Sequence, residues 1–305
     1  MQNKLIKVAK DPKKILIYAI GKGALSCLND ESYLRIFYRL SMNKKLDLSN
    51  PQTFNEKLQW LKLHDHRPEY TMMVDKYKVR KYIADKLGEK YLIPLLGVWD
   101  NPDEIDFDVL PNQFVLKCNH NSGLGMCICK DKESLDINRI KKNLKKGFKQ
   151  NYYKYGREWP YKSVSRKIIA EKYMIDESGE ELKDYKIHCF NGEPKFILVC
   201  SERFSDSGLK ENFYDIDWNL LNMRRPGHSN TIYPIEKPEC LNEMLVLAKK
   251  LSKNMTFVRI DFYVINKHIY FGEITFYPAT GMENFEPVDW DYRLGSLIDL
   301  KNVQI

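Results

Sequence analysis

The chain has 305 residues, of which 43% are hydrophobic and 30% charged, and this composition indicates a folded globular protein and excludes a disordered one. Its length suits about two domains of roughly 150 residues each. The formal net charge of +8 favours anionic partners such as a nucleotide, an acidic sugar or a membrane surface. The seven cysteines include no CxxC pair, which argues against a structural zinc site and predicts free thiols in a reducing compartment.

The N-terminal segment combines basic and apolar residues. Lysines at positions 4, 7, 10, 13 and 14 surround the start of ILIYAIGKGALSCL, residues 15–28, which Lys22 interrupts. The apolar stretch is shorter than the ~20 residues that a membrane-spanning helix needs. We therefore expect a helix that packs on the protein, and a peripheral membrane contact through residues 1–30 is the second interpretation.

The next part of the chain, residues 31–90, has helical patterns. The segments are SYLRIFYRL, TFNEKLQWLKL and DKYKVRKYIADKL. Thr53 precedes Glu56 by three residues, which is the pattern of a capping box. The third helix is predicted to begin at Asp75 and to end before Gly88.

From Gln113 onward the pattern changes to strands. QFVLKCNHNSGLGMCICKD predicts a strand, a loop and a strand; RKIIAEKYM predicts a strand; and DYKIHCFNGEPKFILVCSE predicts a hairpin that turns at Asn191-Gly192. Residues 134–151 and 242–253 are predicted helices, and the lysines of the first are expected to form a solvated basic surface. Because the chain lacks a βαβ alternation, these elements predict an α+β fold with antiparallel sheets.

The stretch FVRIDFYVINKHIYFGEITF, residues 257–276, carries charged side chains inside an apolar hairpin. Strand alternation places Arg259 and Asp261 on one face. A two-residue loop would put Asp261 and Glu273 on opposite faces, whereas a three-residue loop pairs them directly, and we expect the latter. Two facing carboxylates need a cation or a proton between them, and Mg²⁺ prefers carboxylate oxygen. A salt bridge from Arg259 would leave one acid unexplained, so a metal is favoured.

Three weaker patterns also suggest nucleotide chemistry. Lys117 lies mid-strand before the loop Asn119–Gly125, whose N–H groups are suited to phosphates, although an ordinary hairpin explains both equally well. Glu171 ends an apolar strand and is placed to accept the exocyclic amine of adenine, although a solvated Glu is the simpler interpretation. Asp184 and Lys186 share a strand face. Either Lys186 meets phosphate oxygens and Asp184 orients it, or the two form a surface ion pair worth at most ~1 kcal/mol.

Taken in chain order, these features resemble the ATP-grasp fold: Lys117, the glycine-containing loop, Glu171, Lys186, Arg259-x-Asp261 and Glu273-x-Thr275. More narrowly, several segments resemble the TupA-like branch, named for teichuronopeptide synthesis: PQTFNEKLQWLKL, DKYKVRKYI, YLIPLLGVWD, FVLKCNHNSG, DYKIHCFNGEPKFI and RIDFYVINKHIYFGEITFYP. The resemblance extends from about residue 35 to the C-terminus.

This resemblance implies an α+β ATP-grasp fold in which two antiparallel-sheet subdomains hold a nucleotide. The implied units are a helical N-terminal region at 1–95, a lid subdomain at 96–172 and a core subdomain with the metal site at 173–305. The implied cofactors are ATP and two Mg²⁺ ions. ATP would be bound by Lys117, Ser122, Gly123, Gly125, Glu171, Tyr173, Asp184 and Lys186. Arg259 and Lys186 would be catalytic, and the metal ligands would be Asp261, Glu273 and Thr275.

The implied activity is ATP-dependent carboxylate–amine ligation through an acyl-phosphate. The acceptor would be a uronic-acid or glutamyl carboxylate in bacterial cell-surface polysaccharide or capsule synthesis, free or lipid-linked, and the nucleophile an amino acid or amine. No nucleic-acid partner is implied. The expected location is the cytoplasm, either free or at the inner face of the membrane. Thr275 stands where ATP-grasp ligases usually have Asn, and its hydroxyl is a weaker metal ligand.

Other functions stay open at this point. A glycosyltransferase would use the D-x-D pattern of Asp215 and Asp217 to hold a metal and a nucleotide-sugar. A kinase on the same fold would stop after phosphate transfer and need no amine. A non-catalytic basic module would bind a polyanion in a strongly salt-dependent way.

Overall fold

The computed structural model describes residues 12–21, 23–176, 182–203, 205 and 208–303. Helices dominate the N-terminal region: α1 Pro12–Gly21, α2 Asp30–Met42, α3 Phe54–His64, α4 Glu69–Val74 and α5 Val79–Lys86. The predicted capping box is present at α3, because the Thr53 hydroxyl accepts from the Glu56 N–H and the Glu56 carboxylate accepts from the Thr53 N–H. The third predicted helix begins later than expected, at Val79, because the Asp75 carboxylate instead accepts two N–H groups of the preceding turn.

Helix α1 packs on the protein by one side. Ile20 is fully buried among Tyr33, Leu34 and Phe37 of α2, as expected for a packed helix. In the part of the chain that the structure describes, no helix has the length and apolar character needed to cross a bilayer. Residues 1–11 and 22 of the predicted membrane-contact segment lie outside the described residues, so that contact stays a prediction.

The first sheet has four antiparallel strands in the order β1-β4-β2-β3. They are β1 Leu95–Trp99, β2 Phe114–Cys118, β3 Cys127–Cys129 and β4 Ile168–Lys172. Helix α6, Ile137–Phe148, buries Leu144 against Phe114 and Leu116 of β2. The short helix α7, Tyr153–Gly156, leads to a 3₁₀ turn at Trp159–Ser163.

The second sheet has five antiparallel strands in the order β7-β6-β5-β8-β9. They are β5 Asp184–Phe190, β6 Glu193–Ser201, β7 Lys210–Asp215, β8 Phe257–Ile265 and β9 His268–Thr275. Helix α8, Leu241–Ser252, packs on this sheet, and α9, Trp290–Ser296, contacts α3. The β5–β6 hairpin turns at Asn191-Gly192, both with positive φ, as predicted.

These elements confirm the predicted α+β class with two antiparallel sheets. The larger hydrophobic core lies between the second sheet, α8 and the helices α3 to α5. A smaller core lies between the first sheet and α6. The subdomain limits 1–95, 96–172 and 173–305 stay a prediction.

Candidate active site

The hairpin β8–β9 places Asp261 directly opposite Glu273, as predicted, but by a different geometry. Its turn contains only Asn266 and Lys267, both with positive φ, so the expected three-residue loop is wrong. A β-bulge with Gly272 as the extra residue shifts the register and brings the two acids opposite each other. A Cβ atom at Gly272 would lie 3.0 Å from the Asp261 carbonyl oxygen, so the close strand contact here favours glycine.

Asp261 is the most enclosed acid of the site, with 2% of its surface exposed. Its Oδ1 accepts from Arg259 Nε at 2.7 Å, and its Oδ2 accepts from Arg259 Nη2 and Lys186 Nζ, each at 2.7 Å. Arg259 and Lys186 thus hold the Asp261 carboxylate in place through three charge-assisted hydrogen bonds.

Glu273 lies across from Asp261 and shares its cations. Its Oε1 is 3.2 Å from Arg259 Nη2, and its Oε2 is 3.3 Å from Lys76 Nζ. Burial opposes ionisation, but the charges of Lys76, Arg259 and Lys186 outweigh it and hold the pKa of Glu273 at about 2. The Thr275 hydroxyl accepts from Arg259 Nη2 at 3.1 Å, so one guanidinium connects all three predicted metal ligands.

A salt bridge from Arg259 does not leave Asp261 or Glu273 unexplained, so that expectation is wrong. Arg259 reaches both Asp261 and Glu273, and two lysines complete the pairing. The pairing of these acids therefore does not by itself require a metal.

The oxygen donors nevertheless suit Mg²⁺, which is commonly held by one or two carboxylates together with water and substrate phosphates. Among the residues that the structure describes, no group of three or more His, Cys, Asp or Glu side chains is arranged to hold a metal. Asp261, Glu273 and Thr275 thus fit a Mg²⁺ ion that shares its coordination with phosphate, rather than a closed metal cage.

Lys186 on β5 connects Asp261 with Asp184. Its Nζ lies 3.3 Å from Asp184 Oδ2, and Asp184 also accepts from Arg203 at 2.6 Å. Burial opposes the charge of Lys186, but Asp261 and Asp184 raise the pKa of Lys186 above its usual value. The predicted alternative of a surface ion pair is therefore wrong, since the Lys186 and Asp184 side chains are only 12% and 10% exposed.

A second group of charges lies on the first sheet. Glu171 of β4 is buried, so the simpler interpretation of Glu171 as a solvated residue is wrong. Its Oε2 pairs with Lys117 Nζ at 2.6 Å, and its Oε1 accepts from Arg80 Nη1 at 3.2 Å. Both oxygens are occupied by cations, so a contact with adenine would have to be shared with them. Tyr173, the other residue predicted here, follows β4 and is half-buried.

The loop between β2 and β3 exposes only part of its length. Asn119, His120 and Asn121 are buried, whereas Ser122 and Gly123 are exposed at the tip. Gly125 has a φ of +74°, and a Cβ atom there would lie 2.8 Å from the Cα of Gly147 in α6. The tip, rather than the whole predicted loop, is therefore the part available to a ligand.

Lys76 and Arg80 are site residues that the sequence analysis missed. Lys76 donates its backbone N–H to Asn119 O and its Nζ to Asn121 O, each at 3.0 Å, while its Nζ also faces Glu273. Lys76 therefore joins the β2–β3 loop to β9. Arg80, four residues later in α5, pairs with Glu171. The signal available in the sequence was the four-residue spacing of Lys76 and Arg80 in DKYKVR. In a helical pattern, however, cations at this spacing also suit an ordinary solvated face.

The D-x-D pattern lies in a turn after β7. Asp215 Oδ1 accepts from the N–H groups of Asp217 and Asn219, and Oδ2 accepts from the Asn219 amide. Those bonds lower the pKa of Asp215 despite the opposing effect of burial, and they account for both of its oxygens. This arrangement gives the pattern a local structural role.

A sequence model of one family matches residues 56–299, and it is described as TupA-like ATPgrasp. The chain belongs to the TupA-like ATP-grasp family. The predicted family and fold class are confirmed.

Several solved structures are similar to parts of this family member. The D-alanine–D-alanine ligase of Bacillus anthracis with ATP is 18% identical, with a TM-score of 0.40, and the match covers 67% of this chain and 53% of that one. The Helicobacter pylori ligase is 16% identical over 80% of this chain and 69% of that one, with a TM-score of 0.41. The D-cycloserine synthetase DcsG is 12% identical, covers 76% and 71%, and has a TM-score of 0.41. The chain thus spans about half the length of the first of these ligases, and no curated protein matches the sequence.

Proposed function

We propose that this family member joins an amine to a uronic-acid or glutamyl carboxylate in bacterial cell-surface polysaccharide synthesis, at the expense of ATP. The observation that carries the proposal is the group formed by Lys76, Asp184, Lys186, Arg259, Asp261 and Glu273, which we call the Asp261 cluster. It brings carboxylates suited to a metal and cations suited to phosphate to one face of one sheet.

The nucleotide would lie between this cluster and a second one, formed by Arg80, Lys117 and Glu171, which we call the Glu171 cluster. Lys117 and Lys186 are the proposed clamps on the triphosphate, with Asp184 orienting Lys186. The tip Ser122–Gly123 is the proposed backbone cover for the phosphates, with Gly125 holding the loop against α6. Glu171 and Tyr173 are assigned to the adenine side.

In the proposed reaction, an acceptor carboxylate oxygen attacks the γ-phosphorus of ATP, and the bond from that phosphorus to the bridging oxygen breaks as ADP leaves. The amine nitrogen then attacks the carbonyl carbon of the acyl-phosphate, phosphate leaves, and the nitrogen releases its proton. Arg259 is proposed to steady the acyl-phosphate, because preorganised cations stabilise developing negative charge.

Mg²⁺, when bound by Asp261, Glu273 and Thr275, supplies Lewis-acid neutralisation of phosphate oxygens. The chain's own contribution is to keep Glu273 ionised, since its pKa of about 2 lies far below physiological pH. It also holds the Asp261 carboxylate in place through hydrogen bonds from Arg259 and Lys186.

The identity of the acceptor rests on the branch's link to surface polysaccharide and on the net charge of +8, which suits an acidic substrate. A lipid-linked acceptor would place the enzyme in the cytoplasm at the inner face of the membrane. A free acceptor would need no membrane contact.

The first test is ligand-dependent thermal stability with Mg-ATP and, separately, with a uridine nucleotide-sugar. A ligand at ~100 times its dissociation constant adds ~2.7 kcal/mol of stability. We expect Mg-ATP to stabilise the wild type and to lose its effect in Lys117→Ala and Asp261→Asn. Lys81→Ala is the matched control, because Lys81 is on the same helix as Arg80 but is largely exposed and pairs with the exposed Asp85.

Stabilisation by the nucleotide-sugar alone, with dependence on Asp217, would contradict the proposal and favour a glycosyltransferase. Phosphate release separates the two remaining reactions. A ligase should release phosphate from ATP only when both a carboxylate and an amine are present, whereas a kinase would accumulate a stable phosphorylated product without an amine.

A further inference from the structure

Helix α6 presents a basic surface that the proposed ATP site does not use. No acidic residue occurs between Ile137 and Lys149, and the cations in this range are Arg139, Lys141, Lys142, Lys145, Lys146 and Lys149. Leu144 and Gly147 are buried, so the apolar side of the helix faces the protein. At 1.5 Å per residue, the helix carries its charges along roughly 18 Å.

These lysines line a shallow, open recess. The cavity has a volume of about 580 Å³, and its walls are Asp103, Asn138, Lys141, Lys142, Lys145, Lys146 and Lys149. Asp103 is the acid in this lining, and it pairs with Lys145 at 2.8 Å. Within residues 12–21, 23–176, 182–203, 205 and 208–303, no acidic side chain pairs with Lys142, Lys146 or Lys149, which are all exposed.

The chemistry of this lining narrows the class of partner. Nucleic-acid grooves that track a single strand combine cations with aromatic stacking platforms, and no aromatic side chain lines the recess. Helices that bind membranes insert an apolar face, but Ile140, Leu144 and Phe148 of α6 pack against the first sheet, and Ile137 is its one exposed large apolar residue. A concave row of mobile ammonium groups suits a flexible chain with repeated negative charges, because lysine acts as a point charge with little demand on geometry.

The recess is also connected to the proposed nucleotide loop. The Asn121 side chain donates to Gly147 O at 3.1 Å, and Gly125 packs directly against Gly147. The last turn of α6 therefore supports the loop whose tip would cover the phosphates. A polymer held along α6 would lie on the same element that positions this loop.

We propose that the α6 recess binds a linear polymer bearing carboxylates, and that the acceptor is held there as a chain rather than bound only as a single unit. The choice of carboxylate over other anions rests on the proposed ligase function, whereas the recess itself shows only that the partner is a polyanion. The lysines act by positioning the polymer and do not touch the reacting atoms.

The experiment measures binding of fluorescently labelled polygalacturonate oligomers to the full chain by anisotropy over a range of salt concentrations. The test variant carries Lys142→Gln, Lys146→Gln and Lys149→Gln. The control variant loses the same charge at exposed lysines elsewhere, through Lys237→Gln, Lys250→Gln and Lys253→Gln. Three lysines are replaced together because each exposed ion pair contributes little alone. We expect binding to weaken about tenfold in the test variant and to change less than about twofold in the control.

Equal losses in the two triple variants, or no binding to polygalacturonate by the wild type, would overturn the proposal. Tighter lysine-dependent binding to polyphosphate, to a single-stranded oligonucleotide or to phosphatidylglycerol vesicles would also overturn it, by assigning the recess to that partner. Mg-ATP thermal shifts are measured on the same variants. Retention of the shift in the test variant would separate failure of the polymer site from failure of the ATP site.

Discussion

The two charge clusters differ in net charge. The Glu171 cluster sets one carboxylate between two cations, Arg80 and Lys117, and so carries a net positive charge. The Asp261 cluster sets three carboxylates against Lys76, Lys186 and Arg259, so its own charges cancel. The difference suggests that the first cluster is ready to accept an anion. The cations of the Asp261 cluster would have to exchange partners. A metal bound by the carboxylates of this cluster would release those cations to phosphate.

The largest effect should come from breaking the balance of the Asp261 cluster. In Asp261→Asn, Arg259 and Lys186 lose their shared counter-charge while they remain largely buried. Removing one partner of a buried pair typically costs ~3–5 kcal/mol, and we expect a loss of ~4 kcal/mol in the free energy of unfolding, measured with urea.

The matched control for this variant is Asp215→Asn. Asp215 is also a hairpin aspartate with both oxygens hydrogen-bonded, but its donors are neutral groups of its own turn. Because Asn can accept similar bonds in such a turn, the expected loss is below ~1 kcal/mol. Similar losses in the two variants would mean that charge balance does not stabilise the Asp261 cluster.

An intermediate effect should come from His120, which follows β2 of the first sheet, when the pH is lowered. Burial, with the charge of Arg166, lowers the pKa of His120 to about 4 from its ordinary 6.5. The unfolded chain therefore takes up a proton that the folded chain refuses, so stability falls as the pH drops from 6.5 to about 4. The expected loss is about 3 kcal/mol, at 1.36 kcal/mol per pKa unit.

This pH dependence is measured by urea unfolding of the wild type and of His120→Gln, whose side chain can still donate to Gln150 O. The variant should lack the part of the loss that His120 causes, whereas the part caused by His188, whose pKa burial also lowers well below its usual value, should remain. Parallel stability curves for the two proteins would show that His120 does not cause it.

The smallest effect on stability should come from Lys76, which connects the β2–β3 loop to Glu273. In Lys76→Met we expect a change below ~1 kcal/mol, because a partly exposed ion pair contributes little. Glu273 loses one of its cations, however, so Mg²⁺ without nucleotide should stabilise this variant more than the wild type. Thermal shifts with MgCl₂ measure the effect, and Lys78→Met, at an exposed lysine two residues away, is the control. The same Mg²⁺ response in both variants would argue against a competition between Lys76 and the metal.

Local patterns predicted much of the fold. The Asn191-Gly192 turn, the Thr53–Glu56 capping box and the strands around Lys117 and Glu171 all depend on residues close in sequence, and the structure contains each of them. The β8–β9 register was different. The predicted pairing of Asp261 with Glu273 was correct, but the predicted loop length was wrong. A bulge at Gly272 produces the same register shift as a longer loop, and it leaves no clear pattern in the sequence.

The sequence by itself determined the family, the α+β class and the presence of two facing carboxylates on one hairpin. Only the tertiary structure decided which cations meet them. Lys76 and Arg80 lie outside the strands, and Lys117 meets Glu171 only because β2 pairs with β4, about fifty residues further along the chain. Ion pairing depends on distances of a few ångströms between side chains that are remote in sequence. No local periodicity encodes those distances, so the balance of each cluster became visible only in the folded chain.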